Sequence, residues 1–193
     1  MSGYNTGLHI STNGQEFDEI LERITAAWPV EVEDITILTH SVGGLVSRSA
    51  CHYAQAKGRT WHKLLSKLFF LGTPHHGAPL EKAGNYIDVF LEAMPYAKPF
   101  ARLGKIRSAG ITDLRYGNIL DADWENTERF EMGPDKRTAV PLPKSVVCYA
   151  IAGTTGKATG DLSDTLLGDG LVYIKSALGQ HKEAGKSLVF APE

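Results

Sequence analysis

An open, mostly parallel α/β sheet with flanking helices is the fold class this chain predicts, and three observations carry it. First, the apolar runs at 35–39, 67–71 and 146–152 are too short for buried helices and read as continuous buried strands. Second, apolar residues at helical spacing stand beside those runs. Third, each run empties into a small-residue or polar loop, and ligands of open α/β sheets sit at the carboxyl ends of the strands. Ser41, the His75-His76 loop and Asp169 all fall at such ends.

In chain order, residues 1–10 are Gly- and Asn-rich without a period and read as a loop. Asn13 with Glu16 three residues on is a capping signal. Phe17, Ile20, Leu21, Ile24 and Trp28 then recur at helical spacing until Pro29, one apolar face that can lie against a sheet. The strand at 35–39 follows. Gly43-Gly44-Leu45-Val46 opens a helix reaching about Ala56, where Lys57-Gly58 is a stop. The run at 67–71 feeds Gly72-Thr73-Pro74-His75-His76-Gly77. Residues 79–99 read as a helix with Ile87, Val89, Phe90, Leu91 and Met94 as apolar surface.

Residues 102–142 break the alternation, with scattered aromatics, Asp121, Asp123 and Glu125, and prolines at 134, 141 and 143. An insertion at about 79–143 is therefore expected as a lid over a pocket, a plain surface excursion being the alternative. The strand at 146–152 has the continuous apolar character of a central parallel strand. A polar loop at 153–168 leads to Asp169-Gly170-Leu171-Val172, and 187–190 is a last short strand candidate. The whole of 1–193 reads as one domain.

Composition sets bounds. With 193 residues, 42% hydrophobic and 22% charged, the chain can bury a real core. A net charge of -2 and the absence of a Lys/Arg cluster argue against a nucleic-acid partner. No apolar run is long enough to cross a bilayer, and residues 1–10 lack the basic start and apolar middle of a secretory signal, so a cytoplasmic protein is expected. Oligomeric state is not legible. Cys51 and Cys148 are too few for a disulfide framework and fall in helix and strand patterns where thiols are buried. Adjacent His75 and His76 raise a metal site, but no third ligand stands at a helpful spacing; no metal and no cofactor are expected.

The stretch from Ile35 to Gly44 carries the chemistry. A serine between a strand's carboxyl end and a helix's first turn is sterically crowded and needs small neighbours, which Gly43 and Gly44 supply. The Val42 N–H belongs to the first helical turn, where it lacks an intrahelical acceptor and can steady an oxyanion with the helix dipole behind it. The pattern departs from G-x-S-x-G in having Thr39 where the first glycine stands. A bare helix cap is the competing reading of Ser41, and His40 is expected to orient the backbone of the turn.

Thr39-His40-Ser41-Val42-Gly43-Gly44-Leu45-Val46, Phe70-Leu71-Gly72-Thr73-Pro74-His75-His76-Gly77-Ala78-Pro79 and Asp169-Gly170-Leu171-Val172 together resemble the α/β-hydrolase superfamily. Within it they are most similar to the bacterial lipase and esterase group that also resembles the GPI inositol-deacylases. The resemblance implies serine esterase chemistry, with Ser41 as nucleophile, Asp169 as triad acid and Val42 as one oxyanion donor. An imidazole must take the serine proton, and a carboxylate must hold its tautomer. In the resembled family that histidine lies beyond the last strand, and no residue here matches its position. His181, the only histidine after Asp169, is the candidate that could substitute. His75 and His76 match a structural signature and are expected to line the pocket, whereas His9, His52 and His62 have no supporting context.

The second oxyanion donor also has no match before Ser41, which suggests a hydrolase incomplete on both sides, with residues 35–39 as an exposed apolar edge strand. Two function classes follow. One is a carboxylic-ester hydrolase acting on a small ester or lipid, with Tyr86, Ile87, Phe90, Met94, Tyr96 and Phe100 suited to an acyl chain. The other is a catalytically incomplete fragment or binding module.

Overall fold

The computed structural model describes residues 5, 7–77, 109–125, 137–153 and 174–192. Their elements run α1 (Ile10–Ala27), β1 (Ile35–His40), α2 (Val42–Lys57), α3 (Thr60–Leu64), β2 (Leu65–Leu71), α4 (Ala109–Tyr116), β3 (Val147–Ile151) and α5 (Ile174–Ala177), with 3-10 turns at Asp121–Asp123 and Ala184–Lys186.

The three strands form a parallel sheet in the order β1-β2-β3. Parallel neighbours require a crossover, which α2 and α3 supply between β1 and β2. Ile35 pairs with Leu65 but Thr36 with Lys67, so one extra residue bulges β2. The bulge lets Leu65 and Leu68 both be buried despite their odd spacing.

One sheet face is covered. Ile37, Leu68, Phe70 and Cys148 pack with Ala50, Cys51, Ala54 and Trp61, and Phe17 and Leu21 of α1 close over them. On the other face Leu38, Phe69 and Tyr149 lie in one row across the strands. Phe69 stacks on Tyr149 at 4.8 Å, while Leu38, Val147 and Ile151 are exposed. β3 is thus an edge of the described sheet, not its centre as its apolar run suggests, and β1 is the other edge.

Small residues set how closely α1 meets α2. A Cβ at Gly14 would overlap the Ser49 side chain. The expected start of α1 is corrected: His9 is its N-cap residue, four positions before Asn13. The Ile10 N–H donates to Asp113 Oδ2 (2.8 Å), and Asn13 instead ties down Asn5, whose N–H its Oδ1 accepts at 2.9 Å. The apolar stripe of α1 is only half used, because Ile20, Ile24 and Trp28 are exposed while Asn13, Gly14 and Asp18 are buried. Asp18 accepts from Trp61 Nε1 (2.9 Å), Lys57 Nζ (3.0 Å) and Arg59 Nε (3.2 Å). Burial pushes its pKa up, yet these donors together hold it below the usual carboxylate value.

Residues 187–190 are not a strand. The Leu188 N–H bonds Gly179 O and the Ala191 N–H bonds Cys148 O, two isolated contacts instead of a ladder. Within 79–143, the described residues hold α4 and the turn at 121–123; residues 79–99 lie outside the described set, as do the six residues suited to an acyl chain. Both cysteines are buried, and burial raises Cys51 to about 12 and Cys148 to about 11, so they are packing groups rather than nucleophiles. Among the described residues no helix is long and apolar enough to cross a membrane.

Candidate active site

β1 delivers the chain to Ser41, and α2 begins at the next residue. Ser41 has φ 52° and ψ -127°, the only positive φ at a non-glycine among the described residues. Such a backbone costs about 1–3 kcal/mol and persists only where the surroundings over-determine it. The Ser41 N–H is bonded to Leu71 O (2.8 Å) at the end of β2, and its carbonyl accepts the Gly44 N–H (3.0 Å). The side chain makes no cap hydrogen bond to the helix it precedes. A serine at a strand-to-helix corner, with a positive φ and no side-chain hydrogen bond among the described residues, has the backbone geometry that a nucleophile elbow requires.

The crowding falls on one glycine of the two. A Cβ at Gly44 would lie on the Thr73 side chain, whereas a Cβ at Gly43 would meet nothing within 4 Å. Thr39 is tolerated in place of a glycine because its Oγ1 donates to Phe69 O (2.8 Å) on the neighbouring strand. His40 is exposed, and the corner is oriented by the Ser41–Leu71 backbone bond instead. Val42, buried, stands at the first position of α2 with Leu45 and Val46 anchoring that turn against Ile10, Leu114 and Val140.

After β2, the histidine loop is fixed from far along the chain. The His75 N–H bonds Ser176 O (3.2 Å), the His76 N–H bonds Ser176 Oγ (3.1 Å), and Ser176 Oγ donates to Gly77 O (2.9 Å). His76 Nε2 donates to Gly179 O at 2.9 Å. His75 is buried, and burial together with Arg48 holds it well below the usual histidine value. Burial also lowers His76 to about 4, outweighing its Gly179 bond, so both rings are neutral at pH 7.

His181 packs against His76 with ring centroids 4.9 Å apart. Its Nδ1 accepts the Glu183 N–H (3.0 Å), which puts the neutral ring's proton on Nε2. A triad base needs the opposite tautomer. No hydrogen bond joins Ser41 Oγ to a histidine among the described residues, and Asp169 lies outside them. One histidine does have a buried carboxylate at Nδ1: His9 meets Asp113 Oδ2 at 3.0 Å and stacks on Trp124 at 3.8 Å. That pair caps α1, a role no local signal in the sequence discloses.

No protein among the curated sequences matches this chain. Among solved structures it is similar to the mature form of the Bacillus licheniformis lipase BlEst2, at 22% identity and a TM-score of 0.38, over 57% of this chain and 38% of that one. This chain thus matches well under half of that lipase's length. A family model described as the PGAP1-like alpha/beta domain matches residues 12–142, more than half of the chain and the whole of the elbow. With its parallel sheet and strained serine corner, the chain belongs to that PGAP1-like family, within the α/β-hydrolase superfamily.

Proposed function

We propose that this chain is a serine hydrolase of the lipase and esterase kind, cleaving carboxylic esters through an acyl-enzyme on Ser41. The observation that carries the reading is the Ser41 backbone, held at φ 52° where a helix cap would need no strain. Ser41 Oγ attacks the acyl carbonyl while the base takes its proton, and the Val42 N–H steadies the oxyanion. The base returns the proton to the departing alcohol, and water then releases the acid. Asp169 and His181 are carried as acid and base. In that role His181 exchanges its Glu183 contact for the carboxylate, which moves the ring proton to Nδ1.

A catalytically incomplete binding module is the second reading, and the engagement of His181 Nδ1 by Glu183 favours it. Labelling with a serine-reactive fluorophosphonate separates the two. The hydrolase reading expects a mass adduct on Ser41, absent in S41A, and a labelling rate lowered about 100-fold or more in H181A. No adduct on the folded wild type overturns it, and an unchanged rate in H181A removes His181 as base.

A further inference from the structure

A cavity of about 190 Å³ opens between α2 and the segments around His75, Gly117, Arg137 and Lys186, and its wall holds more donors than the protein satisfies. Arg48 stands seven residues beyond Ser41, two turns along α2, and is 6% exposed. Its Nη2 donates to Val140 O (2.8 Å) and its Nη1 to His75 O (3.4 Å), both neutral acceptors. Among the described residues no carboxylate lies within ion-pair distance of it. Asp123 borders the same cavity, but its oxygens accept the N–H groups of Ile119, Leu120 and Thr138.

Two buried donors are left over. Arg48 Nε has no hydrogen-bond partner. His75 Nδ1 faces Arg48 Nη1 at 3.5 Å, and because a guanidinium only donates, that nitrogen carries the lone pair. The His75 proton therefore sits on Nε2, which is also buried without a partner. Arg137 and Lys186 add positive charge to the lining, Lys186 being shared with Glu183 at 3.2 Å. Burial and the nearby Arg137 pull the Arg48 pKa down to about 10, with Asp123 offsetting them only in part.

Arg48 and His75 both line the cavity, and an occupant that accepts only and carries negative charge would balance the guanidinium. We infer that this cavity is a binding site for a phosphate-class oxyanion, free or as the head group of a larger ligand, gripped by Arg48 and His75. Neither Ser41 nor His181 lines the cavity, and the inference holds under either reading of the serine corner.

Thermal unfolding of the full chain tests it, with sodium phosphate titrated against sodium chloride at equal ionic strength. A saturable rise in Tm is expected, roughly 5 °C or more at a hundredfold excess over Kd. R48M, which removes the cation and keeps the apolar stem, loses the shift; H75Q keeps the cation and reduces it. Flotation with phosphatidic acid in phosphatidylcholine vesicles distinguishes the source. Arg48-dependent binding to those vesicles without a response to inorganic phosphate assigns a lipid head group, and a phosphate response alone assigns the free ion. Failure of the wild type to respond to either probe overturns the site, as does a response of equal size in R48M.

Discussion

The serine corner and the histidine loop stand at the carboxyl ends of adjacent strands, yet they are built on opposite principles. Ser41 is held by its immediate neighbours: the end of β1, the first turn of α2, Gly44 under Thr73 and one backbone bond to β2. His75 and His76 are held by Ser176 and Gly179, about a hundred positions later. Sterics of a strand-to-helix turn against the end of the adjacent strand make the first corner, and hydrogen bonds from far along the chain make the second. The first is therefore rigid by packing, and the second is rigid only while α5 stays docked.

The largest expected effect tests the steric half of that contrast. G44A forces a methyl group into Thr73, whose side chain is fully buried. We expect a loss of about 3 kcal/mol in urea unfolding, the upper end for overpacking. A loss below about 1 kcal/mol would show that the corner yields, and that Ser41 is not held as tightly as its backbone implies.

Next is pH, whose effect through the histidine loop is isolated at His76. The His76 pKa is about 4 when folded against 6.5 unfolded, so the unfolded chain takes up the proton first as pH falls. The neutral ring's contribution is complete above pH 6.5 and is lost progressively down to about pH 4, where it amounts to about 3 kcal/mol. Urea midpoints between pH 7.5 and 4.5 should fall less steeply in H76Q than in the wild type. Parallel curves would mean that His76 is hydrated rather than buried against Gly179 and His181.

The same contrast explains what the sequence discloses. The strands, α2 with its Gly58 stop and the corner itself are legible because each is dictated by adjacent residues: Gly58 takes φ 65° and its N–H closes on Ala54 and Gln55. Asn13 misleads because the real cap, Asp113, arrives from a distant helix. Residues 187–190 have strand-like apolar character, but their backbone partners are Gly179 and Cys148 singly. Arg48 gives no signal at all, since nothing local shows that its counter-charge is missing. A histidine's tautomer, as at His181, is set by whichever amide happens to meet it.

A smaller effect of opposite sign reads the strain directly. In S41G the positive φ no longer opposes a Cβ, so the folded state should gain about 1 kcal/mol even though glycine loosens the unfolded chain. Chemical denaturation of S41G beside S41A isolates the term, because both lack the hydroxyl and only one keeps the Cβ. Equal stabilities would mean that the corner carries no strain.

Smallest is G43A, which separates two glycines that the sequence reads as one requirement. Gly43 lies inside α2 with a helical backbone and open space where its Cβ would stand. Alanine there should stabilise the helix by up to about 1 kcal/mol. Smallness at this position is then not a demand of folding. If G43A gains stability but slows fluorophosphonate labelling of Ser41, the space over Gly43 is kept for what approaches the hydroxyl. If both are unchanged or improved, Gly44 alone accounts for the steric half of the corner.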